Sequence, residues 1–357
     1  MSKFRKSQAL AVSKSEPAKK LLKDLRSLID VARKQASQVV NAGLVRLNWM
    51  VGERIRRDIL KGKRAGYGDK IVSTLSRQLS AEYGKGYTEK SLRRMIQFAE
   101  LFPDARIVAT LSRQLGWSHF IELLPYNDPL QREFYAEMCR IERWSVRTLR
   151  QKTNSMLYER TGLSRKPAKL AKMELKALRD EDRLSPDLIF RDPYVLDFLG
   201  LQDTFSETDL ESAILRKIER FLLELGDDFA FIARQKRMTI GSTDYHLDLL
   251  FYHRRLRALV ALELKLGKFQ PPDTGQMELY LRWLEKYEQR PGENPPLGVI
   301  LCGNKNYEEV AMLRLDSKGI HVAEYLTEMP PRPLFEKKLH EAIELAQEEL
   351  ARRDGGI

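Results

Sequence analysis

The chain has 357 residues, 43% hydrophobic and 31% charged, with a formal net charge of +12. That length holds two or three domains, and no run of about 18 apolar residues offers a membrane span. Cys139 and Cys302 are too few for a disulfide framework and lie far from the five histidines, so neither a stapled secreted domain nor a zinc site is expected.

The N-terminal segment MSKFRKSQALAVSKSEPAKK is basic without the apolar stretch of a signal peptide, which predicts a cytoplasmic protein. The basic excess is local. Over residues 1–100, 23 Lys and Arg stand against 9 Asp and Glu, while over the rest 39 stand against 41. A polyanion at the N-terminal part is the reading this favours, nucleic acid above membrane, since no lipid-binding amphipathic signature accompanies the charge.

Residues 1–18 read as a disordered tail, and 19–160 as a helical, basic, nucleic-acid-binding domain. Leu21, Leu22, Leu25, Leu28, Ile29 and Ala32 follow helical spacing, resumed by Val39, Val40, Leu44, Leu47, Val51 and Ile55. Two helices or one long bent helix fit that pattern, and GKRAGYGD (62–69) reads as a loop by its glycines. Next come a helix ending near Tyr83, a GKG turn, Thr88 as N-cap and a second helix from Glu89 to Leu101, the outline of a helix-turn-helix. Lys90, Arg93 and Arg94 on that second helix are the candidate phosphate contacts. Residues 161–200, charged and poor in aromatics over 163–187, read as a linker with a helical middle.

From about Thr208 the periodicity changes. A helix closed by Gly226 precedes three strands, FAFIARQKRMTIG, YHLDLLFYHRR and RALVALELKLG. A helix (QMELYLRWLEKYEQ), a buried strand (PLGVILCG), a helix (NYEEVAMLRL) and a short strand (IHVAEYL) follow. The order αβββαβαβ predicts an α/β domain over 201–330, with a charged C-terminal helix in 331–357.

Within ALVALELKL, alternation sets Leu262, Leu264 and Leu266 on one face and Glu263 and Lys265 on the other. A tight hairpin centred on Arg255–Leu256 would put Asp248 across from Glu263 and His246 across from Lys265. Two carboxylates so placed repel unless a cation lies between them. Hard oxygen ligands suit Mg²⁺ or Mn²⁺, with Lys265 placed to orient water and offset charge on phosphorus. The bland reading is a structural ion-pair cluster on an exposed sheet face. Lys268, just past the strand, is a further candidate for phosphate.

Asp248 followed by Glu263-Leu264-Lys265 resembles the D…(D/E)xK core of the PD-(D/E)XK nuclease superfamily, although Leu247 stands where the literal motif has proline. Gln276 and Tyr280, at i and i+4 on the next helix, resemble the QxxxY motif of its RecB-like branch. The stretches GWSHFIELLPYNDPLQREFYAEM, DLLFYHRRLRALVALELKLGKF and GVILCGNKN resemble the YhcG family more narrowly. That resemblance covers roughly residues 20–345. It implies a helical domain, with its helix-turn-helix outline, followed by a restriction-endonuclease-like α/β domain. It further implies a metal-dependent endonuclease, with Asp248 and Glu263 as metal ligands, Lys265 as catalytic lysine, and Gln276 and Tyr280 as supporting contacts. Glu211, early in the helix before the sheet, resembles an acidic residue that some branches add to the site. DNA is the expected partner, with a homodimer and restriction-modification components as further expected partners. A non-catalytic nucleic-acid-binding module that retains the fold is the alternative, and a scaffold whose basic half meets an acidic protein is a third reading.

Overall fold

The computed structural model describes residues 16–61, 67–201, 204–226 and 228–354. Residues 1–15 of the expected tail and 62–66 of the expected loop lie outside the described residues. The chain divides into two compact units, residues 1–125 and 126–357. Among the described residues no helix is long and apolar enough to cross a membrane.

In the first unit, residues 16–18 of the expected tail already belong to α1 (Glu16–Lys61), one continuous helix of 46 residues. Pro17 sits in its first turn, where a missing N–H costs nothing. Then come α2 (Tyr67–Tyr83), a 3₁₀ turn (Lys85–Tyr87) and α3 (Glu89–Leu101), so 67–69 of the expected loop are helical. Gly84 makes the turn with φ +89°, and the Thr88 hydroxyl caps α3 by accepting from the Ser91 N–H. Helix α3 buries Leu92, Met95, Phe98 and Ala99. Leu92 and Met95 pack with Ile55 of α1 and Val72 of α2. The α1–α3 crossing is close because position 52 is glycine: a Cβ there would overlap the Met95 carbonyl. Gly52→Ala should therefore cost about 1–3 kcal/mol through overpacking, read as a lower urea midpoint. An unchanged midpoint would contradict so close a crossing. Two short helices, α4 (Ala105–Leu111) and α5 (Trp117–Leu123), complete the unit around a cluster of Phe98, Phe102, Trp117 and Phe120.

The second unit opens with α6 (Pro129–Glu142), α7 (Val146–Asn154), α8 (Gly162–Arg165), α9 (Ala168–Glu181) and α10 (Pro186–Ile189). Residues 161–200, expected as a linker, are packed into this unit instead. Thr161, Leu163, Leu175, Leu178, Tyr194 and Leu196 are wholly buried. The charges of α9 occupy one face only. Ala171, Leu175 and Leu178 form the other face. Arg179 pairs with Glu137, and Arg140 of α6 pairs with Asp182. A two-residue strand, β1 (Tyr194–Val195), lies in the same stretch, too short for any periodicity to announce.

The remaining elements are α11 (Glu207–Arg216), α12 (Ile218–Leu225), β2 (Phe229–Ile240), β3 (Thr243–His253), β4 (Ala258–Lys268), α13 (Pro271–Tyr287), β5 (Leu297–Asn304), α14 (Tyr307–Met312), β6 (Ile320–Leu326) and α15 (Arg332–Asp354). One six-stranded sheet has the order β1-β6-β5-β4-β3-β2. Its β2, β3 and β4 are antiparallel neighbours, while β4, β5, β6 and β1 run parallel. The hairpin register is the one expected from a turn at Arg255–Leu256: Leu249 opposes Leu262, and His253 opposes Ala258. The Leu256 N–H donates to His253 Nδ1 at 3.1 Å, which closes the turn. One core cluster joins Leu247, Leu250 and Ala261 of the hairpin, Met277, Tyr280 and Leu284 of α13, and Ile300 of β5.

Candidate active site

The paired ladder of β3 and β4 ends at Leu249–Leu262, one residue short of the two acids. Beyond it the Asp248 carboxylate takes the place of the next backbone partner: Oδ2 accepts from the Leu264 N–H at 2.8 Å. That bond ties Asp248 to the strand carrying Glu263 and Lys265. The site is built at the fork where β4 leaves β3 and continues beside β5.

Glu263 is 6% exposed, which rules out the exposed ion-pair face weighed above. Its Oε1 accepts from Lys265 Nζ at 3.2 Å and from the Gln276 amide at 3.2 Å. Its Oε2 is buried and has no hydrogen-bond partner among the described residues. Burial first, and the Asp248 charge second, raise its carboxyl to about 7 against the pull of Lys265. Burial likewise raises Asp248, opposed by the Leu264 N–H and the Gln235 amide. Burial alone would lower Lys265, but the Glu263 carboxylate outweighs it and raises the ammonium.

Helix α13 supplies the supporting pair. The Gln276 amide also donates to the Tyr280 hydroxyl at 2.6 Å, and that hydroxyl donates to the His246 carbonyl at 3.2 Å. Tyr280 is 1% exposed, so its ring is core and only its hydroxyl reaches the polar chain. Glu211 of α11 is buried and belongs to the same cluster through a residue the sequence reading missed. The Gln235 amide of β2 donates to Glu211 Oε2 at 2.8 Å and to Asp248 Oδ1 at 3.0 Å. Gln235 holds φ +43°, a left-handed conformation costly for a non-glycine inside a strand. No pattern in ARQKR marks it, because a polar residue among basic ones on a half-exposed strand reads as solvated.

The candidate phosphate contacts are placed differently. Lys268 pairs with Glu309 at 3.2 Å. In the first unit Lys90 is exposed, Arg94 is half-buried, and Arg93 is exposed while paired at 2.8 Å with both Asp69 and Glu89.

Buried hard-oxygen donors, with Glu263 Oε2 and Glu211 Oε1 lacking a hydrogen-bond partner among the described residues, fit a divalent cation. Among the described residues no three His, Cys, Asp or Glu side chains form a ready-made cage. A cation here would draw on Asp248 and Glu263, with water and substrate oxygens completing it, the habit of Mg²⁺.

Comparison with known proteins bears on the chain as a whole. A family profile described as the YhcG PDDEXK nuclease domain matches residues 187–340, and one described as the DUF1016 N-terminal domain matches residues 24–160. The Escherichia coli (strain K12) protein named "Putative nuclease YhcG" is 34% identical over 358 residues, covering 91% of this chain and 94% of that protein. The chain belongs to the YhcG family. Its second unit contains that family's PDDEXK nuclease domain, and the two acids, the lysine and the Gln276–Tyr280 pair all lie inside the matched span. Among solved structures, a repair endonuclease from Pyrococcus abyssi aligns with 21% identity and TM-score 0.25, over 36% of this chain and 50% of that one. An EndoMS–dsDNA complex aligns with 18% identity and TM-score 0.27, over 36% and 48%. At such scores the two alignments add nothing to the YhcG assignment.

Proposed function

We propose that this YhcG-family chain is a divalent-metal-dependent endonuclease acting on DNA phosphodiester bonds. The observation that carries the reading is the buried Glu263 carboxylate, with one oxygen unpartnered, beside Asp248 and Lys265. Mg²⁺ or Mn²⁺ at Asp248 and Glu263 would polarise a phosphoryl oxygen and make water a stronger nucleophile at neutral pH. Lys265, held by Glu263, is in place to orient the attacking water and to offset charge gathering on the phosphate oxygens. Gln276, itself bonded to Tyr280, fixes the Glu263 carboxylate from one side, while Gln235, itself bonded to Glu211, braces Asp248 from the other. Lys90, Arg93 and Arg94 of the basic first unit, with Lys268 near the site, supply phosphate contacts, which makes binding fall steeply with salt.

The test is incubation of the full chain with linear, supercoiled, single-stranded and branched DNA, and with RNA, in Mg²⁺, Mn²⁺ or EDTA. Metal-dependent cutting of DNA is expected. Salt-sensitive binding with no cutting of any substrate would instead assign a binding module that keeps the nuclease fold.

The raised Glu263 carboxyl adds a stability prediction. The native state holds this proton more tightly than the unfolded chain does. Stability is therefore lost as pH rises from the ordinary carboxylate range through about 7. Glu263→Gln removes that loss. Without metal at pH 8 it should be the more stable protein, by on the order of 2 kcal/mol. Saturating Mn²⁺ should narrow or reverse the order, because only wild type gains from binding. A lower urea midpoint for the metal-free variant at pH 8 would contradict the assignment of a strained carboxylate.

A further inference from the structure

We infer that the exposed stretch of α1 is an interface for a second copy of this chain, its α1 lying antiparallel. Three observations on that helix point the same way, and none depends on the nuclease reading.

The first is the period of the exposed apolar positions. Leu21, Leu25, Leu28, Ala32, Ala36, Val39, Gly43, Leu47 and Met50 recur with an 11-residue repeat. That period keeps a stripe on one side of a nearly straight helix for about 43 Å. It runs opposite the face that packs in the first unit, where Val45, Gly52 and Ile55 are buried. Leu28 is 67% exposed, Val39 74% and Met50 57%. Apolar exposure this long and regular marks an interaction surface.

The second is Gly43. A mid-helix glycine costs about 1 kcal/mol against alanine unless a close approach requires it. At Gly52 the approach is visible, since a side chain would strike the Met95 carbonyl of α3. At Gly43 nothing among the described residues, its own helix backbone aside, lies within 4 Å of where a Cβ would be. An incoming backbone from another molecule gives this glycine the reason that Gly52 has internally.

The third is complementarity of size and charge. Antiparallel pairing about the middle of the stripe sets Leu21 against the partner's Met50, Leu28 against the partner's Gly43, and Ala32 against the partner's Val39. At the two inner pairs, Leu28 with Gly43 and Ala32 with Val39, a large residue meets a small one, as interdigitated packing needs. The charges agree. Residues 20–34 hold Lys20, Lys23, Arg26, Arg33 and Lys34 against Asp24 and Asp30, whereas Arg46 is the one charged residue from 35 to 50. Parallel pairing would stack the basic half on itself. Antiparallel pairing lays it on the neutral half and brings Arg46 beside the partner's Asp24.

Sedimentation of the full chain over a range of concentrations tests the inference, with Val39→Lys and Gly43→Leu alongside. Wild type is expected to sediment as a dimer. Both substitutions should halve the mass at the same concentration. Gly43→Leu separates an interface from a solvated helix, because it raises helix propensity in a lone helix while blocking close approach in a pair. Oxidation then reads orientation: Ala36→Cys should cross-link to itself, and Leu21→Cys should not. Cys139 and Cys302 are buried and do not compete. A monomer at every concentration, whether or not α1 then binds DNA or anionic vesicles, would overturn the inference. So would a dimer indifferent to both substitutions, or cross-linking of Leu21→Cys in place of Ala36→Cys.

Discussion

Lys265→Ala should lower single-turnover cleavage by at least about a hundredfold, the scale of losing one positioned charge at a developing oxyanion. The ammonium has two tasks in the geometry. On the proposed reading it orients the attacking water beside the phosphate, and in the structure it donates to Glu263 Oε1 at 3.2 Å. Lys265 is also one of the groups that hold the Glu263 carboxyl down against burial. Removing it raises that carboxyl further, so the acid limb of the pH–rate profile should move to higher pH. Raising the pH should then recover part of the lost rate. A merely structural lysine would not produce that shift. The side chain is 23% exposed, so its truncation leaves the core intact. Cleavage within a few-fold of wild type, with an unmoved profile, would remove Lys265 from the reaction.

The largest stability effect is expected away from the site. Asp192 is 6% exposed and forms ion pairs with Arg165 and with buried Lys305, while its Oδ1 accepts the Glu324 N–H at 2.9 Å. It thereby ties the segment before β1 to α8 and to β6. Burial alone would raise its carboxyl, but the Arg165 and Lys305 charges outweigh it and hold Asp192 well below the usual carboxylate range. A lowered carboxyl contributes stability above the ordinary carboxylate range, and that contribution is lost as pH falls through the folded-state value. Asp192→Ala strands buried Lys305 and half-buried Arg165 and should cost about 3–5 kcal/mol. The variant should also lack part of the wild-type acid limb below about pH 4. A change in urea midpoint equivalent to less than about 1 kcal/mol would mean that solvent reaches Arg165 and Lys305 after all.

Much of the second unit was legible because alternation and turn chemistry leave few registers open. Sliding β3 by one residue would send Leu247 and Leu249 to the wrong face, so the hairpin centre could be set from the chain alone. The ExK strand was legible for the same reason. The ladder's ending at Leu249–Leu262 was not, because it depends on the Asp248 side chain capturing a backbone N–H. Gln235 was illegible because its role comes from a left-handed backbone turn, not from its neighbours in sequence. The 161–200 stretch was misread by treating charge as solvation. Arg165, Asp187 and Asp192 are charged because they pair inside the unit, and β1 contributes too few residues to show a period. In the first unit the apolar spacing left two helices or one long bent helix open, and the structure has one, whose Gly52 is set by the approach of α3.

On the proposed reading Asp248 and Glu263 are kept ionisable, side by side, for a cation. Titration of the full chain with Mn²⁺, read calorimetrically at pH 6, 7 and 8, tests it most directly, with Glu263→Gln as control. Saturable binding is expected, weakening as pH falls through about 7, where Glu263 takes up its proton, and disappearing in the variant. Wild type that binds no Mn²⁺ at pH 8, or a variant that binds it as well as wild type, would contradict the account.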